Sequence, residues 1–219
     1  MSLGDGVFSR EREKMVEEQL VRRGITDERV LGAMRRVPRH RFVEEGLQHR
    51  AYGDHPLPIG EEQTISQPYI VGLMTSLLEL TGREKVLEVG TGSGYQTAVL
   101  AEGSRRVCSI ERLPRLAERA RKVLESLGYT NVWVRVGNGA LGWPDEAPFD
   151  RILVAAAGPT VPPPLVEQLA ESGRLVAPVG DAESQTLTLM ERRGGEIRTR
   201  AVGDCRFVPL VGKYAWEHD

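Results

Sequence analysis

The sequence predicts an α/β fold: a mostly parallel sheet covered by helices on both faces, a helical extension before it and an antiparallel hairpin after it. Three observations carry this. Short continuous apolar runs such as KVLEV (Lys85–Val89) and ILVAA (residues 152–156) have the character of strands buried on both faces. Segments with helical apolar spacing separate these runs, as the crossovers between parallel strands require. A glycine-rich turn, GTGSG at residues 90–94, joins the first run to a helix.

Taken in order, residues 10–23 and 27–36 read as two amphipathic helices, the first stopped by Gly24 and the second started by Thr26 and ended before Pro38. Residues 51–63, with two prolines and two glycines and no periodicity, read as a loop. From Gln67 the pattern is helical, with Pro68 suited to the first turn and Gly82 just past the end. The alternation then begins: strand Lys85–Val89, helix 95–101, strand 106–110, and helix 115–127 with Leu116, Ala120, Val123, Leu124 and Leu127 on one face. Strand Val132–Val136, strand 152–156, a helix around 165–170 and strand 174–179 follow. QTLTLMERRGGEIRTRAV reads as a hairpin turning at Gly194 and Gly195, and residues 207–211 are expected to add a strand. The expectation is one domain over 1–219: a helical extension and loop (1–82), an α/β core (83–180) and a C-terminal hairpin and strand (181–219).

A net charge of −2 offers no footprint for a long nucleic acid. RVPRHR, at residues 36–41, is the best candidate for a local basic patch and is read as a solvated connection. No run approaches the ~20 apolar residues of a membrane span, and the N-terminus lacks an apolar signal core, so no membrane partner and a cytoplasmic location are expected. Cys108 and Cys205 read as ordinary thiols, and the four histidines show no metal spacing.

In open α/β sheets ligands sit beyond the carboxyl ends of the strands, so those ends are the candidate site. The first strand ends in Gly90, Thr91, Gly92, Ser93 and Gly94. The second ends in Glu111 and Arg112, where a carboxylate can accept both hydroxyls of a ribose. The third ends in Asn138 and Gly139, where an amide can meet an adenine edge. Together these suit an adenosine. A dinucleotide fingerprint needs a glycine where this chain has Tyr95, which disfavours a nicotinamide cofactor. The spacing instead resembles the first motif of class I methyltransferases that use S-adenosylmethionine.

PLPIGEEQTISQPYIV (residues 56–71), VLEVGTGSGYQTAVLA (86–101), GALGWPDEAPFDRILVAAA (139–157), GRLVAPVG (173–180) and FVPL (207–210) resemble the protein-L-isoaspartate O-methyltransferase family. The resemblance covers most of the chain from about residue 10. It implies a Rossmann-like class I methyltransferase fold. It also implies methyl transfer from S-adenosylmethionine, leaving S-adenosylhomocysteine, to the α-carboxylate of L-isoaspartyl residues in damaged proteins, with a monomer expected. Thr64, Ile65 and Ser66 then lie near cofactor and carboxylate, with Ser66 in the active-site role. Asp54 and the stretch Val208, Pro209 and Leu210 are the candidate substrate contacts. A carboxylate with a reference pKa of ~3.9 is already ionised at neutral pH, which explains the absence of a visible general base.

Alternatives stay open at several of these residues. Ser66 equally suits a helix-capping hydroxyl before Pro68, Asp54 a cap of its own loop, and FVPL a plain edge strand. The chain departs from the family in carrying Asn138 where aspartate is common and Val211 where some relatives have threonine. Another S-adenosylmethionine-dependent methyltransferase, acting on a small molecule or RNA, is the first rival reading. A catalytically silent domain that binds the cofactor or damaged peptides is the second.

Overall fold

The computed structural model describes residues 3–216. The described residues open with α1 (Leu3–Met15), which continues through a widened turn, Val16–Leu20, and a tight one, Val21–Arg23, before Gly24 ends it in the left-handed region. In α2 (Glu28–Arg36) the cap is Asp27 rather than Thr26, its carboxylate accepting from the Arg29 and Val30 N–H groups. A short hairpin follows, β1 (Leu57–Gly60) and β2 (Gln63–Ile65), where sequence patterning predicts only a loop. Leu57 and Ile59 are buried while Pro58 and Gly60 are exposed, a period of two that the prolines disguise. The reversal uses three successive positive φ angles, at Gly60, Glu61 and Glu62.

Next come α3 (Pro68–Leu77), β3 (Lys85–Val89), α4 (Tyr95–Gly103), β4 (Arg106–Glu111), α5 (Pro114–Ser126), β5 (Val132–Val136) and β6 (Phe149–Val154). The helix expected around 165–170 is the shorter α6 (Pro163–Glu167), because Leu169 already pairs with Phe149 and begins β7 (Leu169–Gly180). The hairpin is β8 (Gln185–Arg193) and β9 (Glu196–Cys205). Residues 207–211 form no strand: Pro209 makes a single bridge to Ala157, and Val211 one to Trp216.

The seven strands run in the order β5-β4-β3-β6-β7-β8-β9, parallel through β7 and antiparallel after it. Alternate residues of β3 serve opposite faces. Val86 packs with Met74 of α3, Leu78 just past its end and Leu100 of α4, whereas Leu87 and Val89 pack with Leu165 of α6 and Leu210. The N-terminal helices and the hairpin share a further core with α4 and α5. The order reverses at β3, whose neighbours are β4 and β6, so the carboxyl ends of these strands leave a crevice. No helix among the described residues is long and apolar enough to cross a membrane.

Candidate active site

At that crevice lies a cleft of about 280 Å³. Its floor is the glycine turn. Gly90 and Gly92 have φ of +97° and +53°, values that side-chain-bearing residues rarely adopt, and both border the cleft. Gly94, φ +89°, does not border it. A Cβ there would stand 3.2 Å from Ala120 Cβ, so this glycine lets α4 settle on α5. Thr91 and Ser93 complete the floor.

Glu111, at the end of β4, ties the turn to the neighbouring strand. One carboxylate oxygen accepts from the Gly92 N–H at 2.8 Å and the other from the Leu113 N–H at 2.9 Å. Each oxygen keeps a further lone pair on a residue that faces the cleft. Arg112 and Gly139 border the same space, and a Cβ on Gly139 would collide with Val89 Cγ1, so glycine is required for that close approach. Asn138 is different. Its Oδ1 accepts from the Ala140 N–H at 3.0 Å, Gly212 lies against its amide, and its side chain is not part of the cleft wall.

The β1–β2 hairpin brings Thr64, Ile65 and Ser66 over the floor. Arg119 of α5 pins it by donating to the Ile59 carbonyl at 2.9 Å. Ser66 is not the cap of α3: Gln67 holds that position, without a side-chain cap. Among the described residues the Ser66 hydroxyl has no hydrogen-bond partner. Asp54 is not among the residues that border the cleft; its carboxylate pairs with Arg23 at 2.7 Å. Val208, Pro209 and Leu210 form the opposite wall, but much of their backbone is engaged. The Val208 carbonyl accepts from Ala157, and Leu210 donates to the Ala157 carbonyl and accepts from Trp216.

Two features escape the sequence reading. RVPRHR is only partly a solvated connection: Arg36 and Arg41 are exposed, but Arg39 is 0 % exposed and His40 8 %. Arg39 donates to the Ala51 carbonyl at 2.7 Å and lies 4.8 Å from the centre of the Tyr95 ring, linking the segment before the hairpin to the start of α4. Burial lowers its pKa to about 10. The second is Glu88, fully buried beneath the glycine turn. Thr97 donates to its Oε2 at 2.5 Å and Ser109 at 2.6 Å, Ser109 in turn meets Thr91 at 2.5 Å, and Oε1 has no partner. Burial pushes the carboxyl up to about 8, against the two hydroxyl donors and with a contribution from Glu111. Neutral Glu88 thus braces the floor of the cleft at physiological pH. A glutamate inside an apolar run is the signal that could have shown it. Tyr95, Gln96 and Val71 also border the cleft, and nothing in their types announced it.

A parallel sheet with an antiparallel end, a glycine turn after its central strand and an acidic residue ending the next strand define a class I methyltransferase fold. Precorrin-6y C5,15-methyltransferase from Geobacter metallireducens shares it, with a TM-score of 0.50 at 14% identity over 67% of this chain and 92% of that one. A family model described as Protein-L-isoaspartate(D-aspartate) O-methyltransferase matches residues 10–215, and the chain belongs to that family. Protein-L-isoaspartate O-methyltransferase 1 of Syntrophobacter fumaroxidans is 62% identical over 210 residues, 96% of this chain and 98% of the relative. The protein-L-isoaspartate O-methyltransferase of Trichlorobacter lovleyi is 57% identical over 211 residues, 96% and 97% of the two chains. A solved protein-L-isoaspartate O-methyltransferase superposes with a TM-score of 0.84 at 28% identity, covering 93% of this chain and 67% of that one. A Plasmodium falciparum structure of the family, in complex with S-adenosyl-L-homocysteine, gives 0.79 at 28% identity over 91% and 97%.

Proposed function

We propose that this chain methylates the free α-carboxylate of L-isoaspartyl residues in damaged proteins and peptides, using S-adenosylmethionine, and so initiates their return to normal aspartyl. The observation that carries the reading is the meeting, in one cleft of a chain of this family, of the glycine turn, Glu111 and the hairpin with Ser66. The residues present fit the cofactor. Glu111 offers lone pairs to ribose hydroxyls, and Gly90, Gly92 and Gly139 border the same cleft, the first two in left-handed conformations that glycine adopts without strain.

When bound, S-adenosylmethionine supplies an electrophilic methyl group. The protein's work is alignment and exclusion of water. Ser66, with its hydroxyl uncommitted among the described residues, donates one hydrogen bond to the incoming carboxylate and leaves another oxygen lone pair free to attack. Ile65 and Leu210, both buried, border the same space and reduce the water around the nucleophile. No base is required, because the carboxylate is ionised before it enters. Arg119 and Arg39 hold the hairpin and its approach in place.

The net charge of −2 favours a protein substrate over a long nucleic acid. A cytoplasmic monomer is the form we propose, checked by sedimentation of the pure protein and by cell fractionation. The deciding assay is methyl transfer to an isoaspartyl peptide beside its normal aspartyl twin. Transfer to the first alone is expected; equal transfer to both, or to neither, rejects the reading.

A further inference from the structure

Gln96, the second residue of α4, borders the cleft and has no part in the mechanism above. Its side-chain amide lies 2.9 Å from Thr75 Oγ1 of α3. Which end of the amide faces the threonine follows from where the hydroxyl proton goes. Thr75 Oγ1 lies 2.7 Å from the Val71 carbonyl, one turn back in the same helix, and a carbonyl only accepts. With its single proton committed there, the hydroxyl can only accept from Gln96. The group against it is therefore the NH2. Thr75 is 1% exposed, so water does not compete for the hydroxyl.

The carbonyl Oε1 of Gln96 is thereby turned away from Thr75. Among the described residues nothing donates to it, and it is not one of the polar atoms sealed in the interior. It is an accessible acceptor on a residue that borders the cleft. Its place matters. Glu111 and Gly139 mark the nucleoside end of the cleft, and Ser66 marks the point the methyl group must reach. The amino-acid tail of the cofactor hangs from the same sulfur as that methyl group. Val71, Gln96 and Ser66 all border the cleft, and Val71 is one turn before the threonine that orients Gln96. The tail carries an ammonium, which needs acceptors, and a carboxylate, which the free N–H groups at the start of a helix can receive.

We infer that Gln96 accepts a hydrogen bond from the α-ammonium of the cofactor through Oε1, with Thr75 as the positioning residue that fixes the sense of the amide. This rests on the methyl-transfer reading above. The test uses two probes in calorimetry with the pure full-length protein. S-adenosylhomocysteine carries the amino-acid tail; 5′-methylthioadenosine has the same nucleoside and sulfur without it. Gln96→Leu, and Gln96→Met alongside it, should weaken S-adenosylhomocysteine about ten- to hundredfold, the range for a hydrogen bond to a charged group. Methylthioadenosine should stay within about twofold, which also shows that the variants are folded. Thr75→Val, which frees the amide to rotate, should weaken S-adenosylhomocysteine by less and leave methylthioadenosine alone. Unchanged affinity for S-adenosylhomocysteine, or equal weakening of both probes by both Gln96 variants, overturns the assignment. A wild-type protein that binds neither probe overturns the methyl-transfer reading and this inference together.

Discussion

Glu88→Gln isolates the cost of a carboxyl held beneath the glycine turn. In the folded protein this group titrates at about 8, against an ordinary value of 4.5, chiefly because burial penalises the charge. Below pH 4.5 the carboxyl is protonated in both folded and unfolded chains and has no effect on the balance. As pH rises from there, the unfolded chain loses the proton while the folded one keeps it, so stability falls until the folded group also ionises near pH 8. At about 1.4 kcal/mol per pH unit, the loss between pH 5 and pH 7 is of order 2 to 3 kcal/mol. Glutamine cannot ionise. Its amide oxygen can accept from Thr97 and Ser109 as Oε2 does, and its NH2 falls where Oε1 already lacks a partner. Urea unfolding of both proteins at pH 5, 6, 7 and 8 should show the stability difference moving steadily in favour of Glu88→Gln as pH rises. The groups facing this carboxyl are Thr97, Ser109 and, through space, Glu111, with no cation among the causes of its shift. A difference independent of pH would refute the buried neutral acid.

Glu111→Ala should weaken S-adenosylhomocysteine binding by about 1 to 3 kcal/mol in calorimetry, since it removes an acceptor for ligand hydroxyls and also releases the Gly92 N–H. Ser66→Ala should lower the rate of methyl transfer about tenfold or more while cofactor affinity and melting temperature hold, because the hydroxyl caps no helix; a loss of stability without a loss of rate would assign it a structural role. Asn138→Asp should change cofactor affinity by less than about tenfold, as the side chain caps the Ala140 N–H outside the cleft wall; a hundredfold gain would place it in direct contact with the ligand.

The sequence by itself determined the parallel core. Apolar runs at β3, β4 and β6, the glycine spacing of 90–94 and the face of α5 are local signals, because strand burial, turn geometry and helical period are each set within a few residues. Glu111 was legible for the same reason, standing where a strand stops. Only the tertiary structure decided the rest. The β1–β2 hairpin is hidden in sequence by its prolines, and it exists because Leu57 and Ile59 find a core supplied by helices far along the chain. Arg39 reads as a surface charge and is buried, because Ala51 and Tyr95 close over it. Ser66 reads equally as a cap or a ligand contact in sequence; the fold puts Gln67 in the capping position and brings Ser66 to the border of the cleft. The orientation of Gln96 depends on a proton that Thr75 gives to its own helix. Nothing in the local pattern around Gln96 encodes it, because hydrogen-bond direction is settled between side chains that only packing brings together.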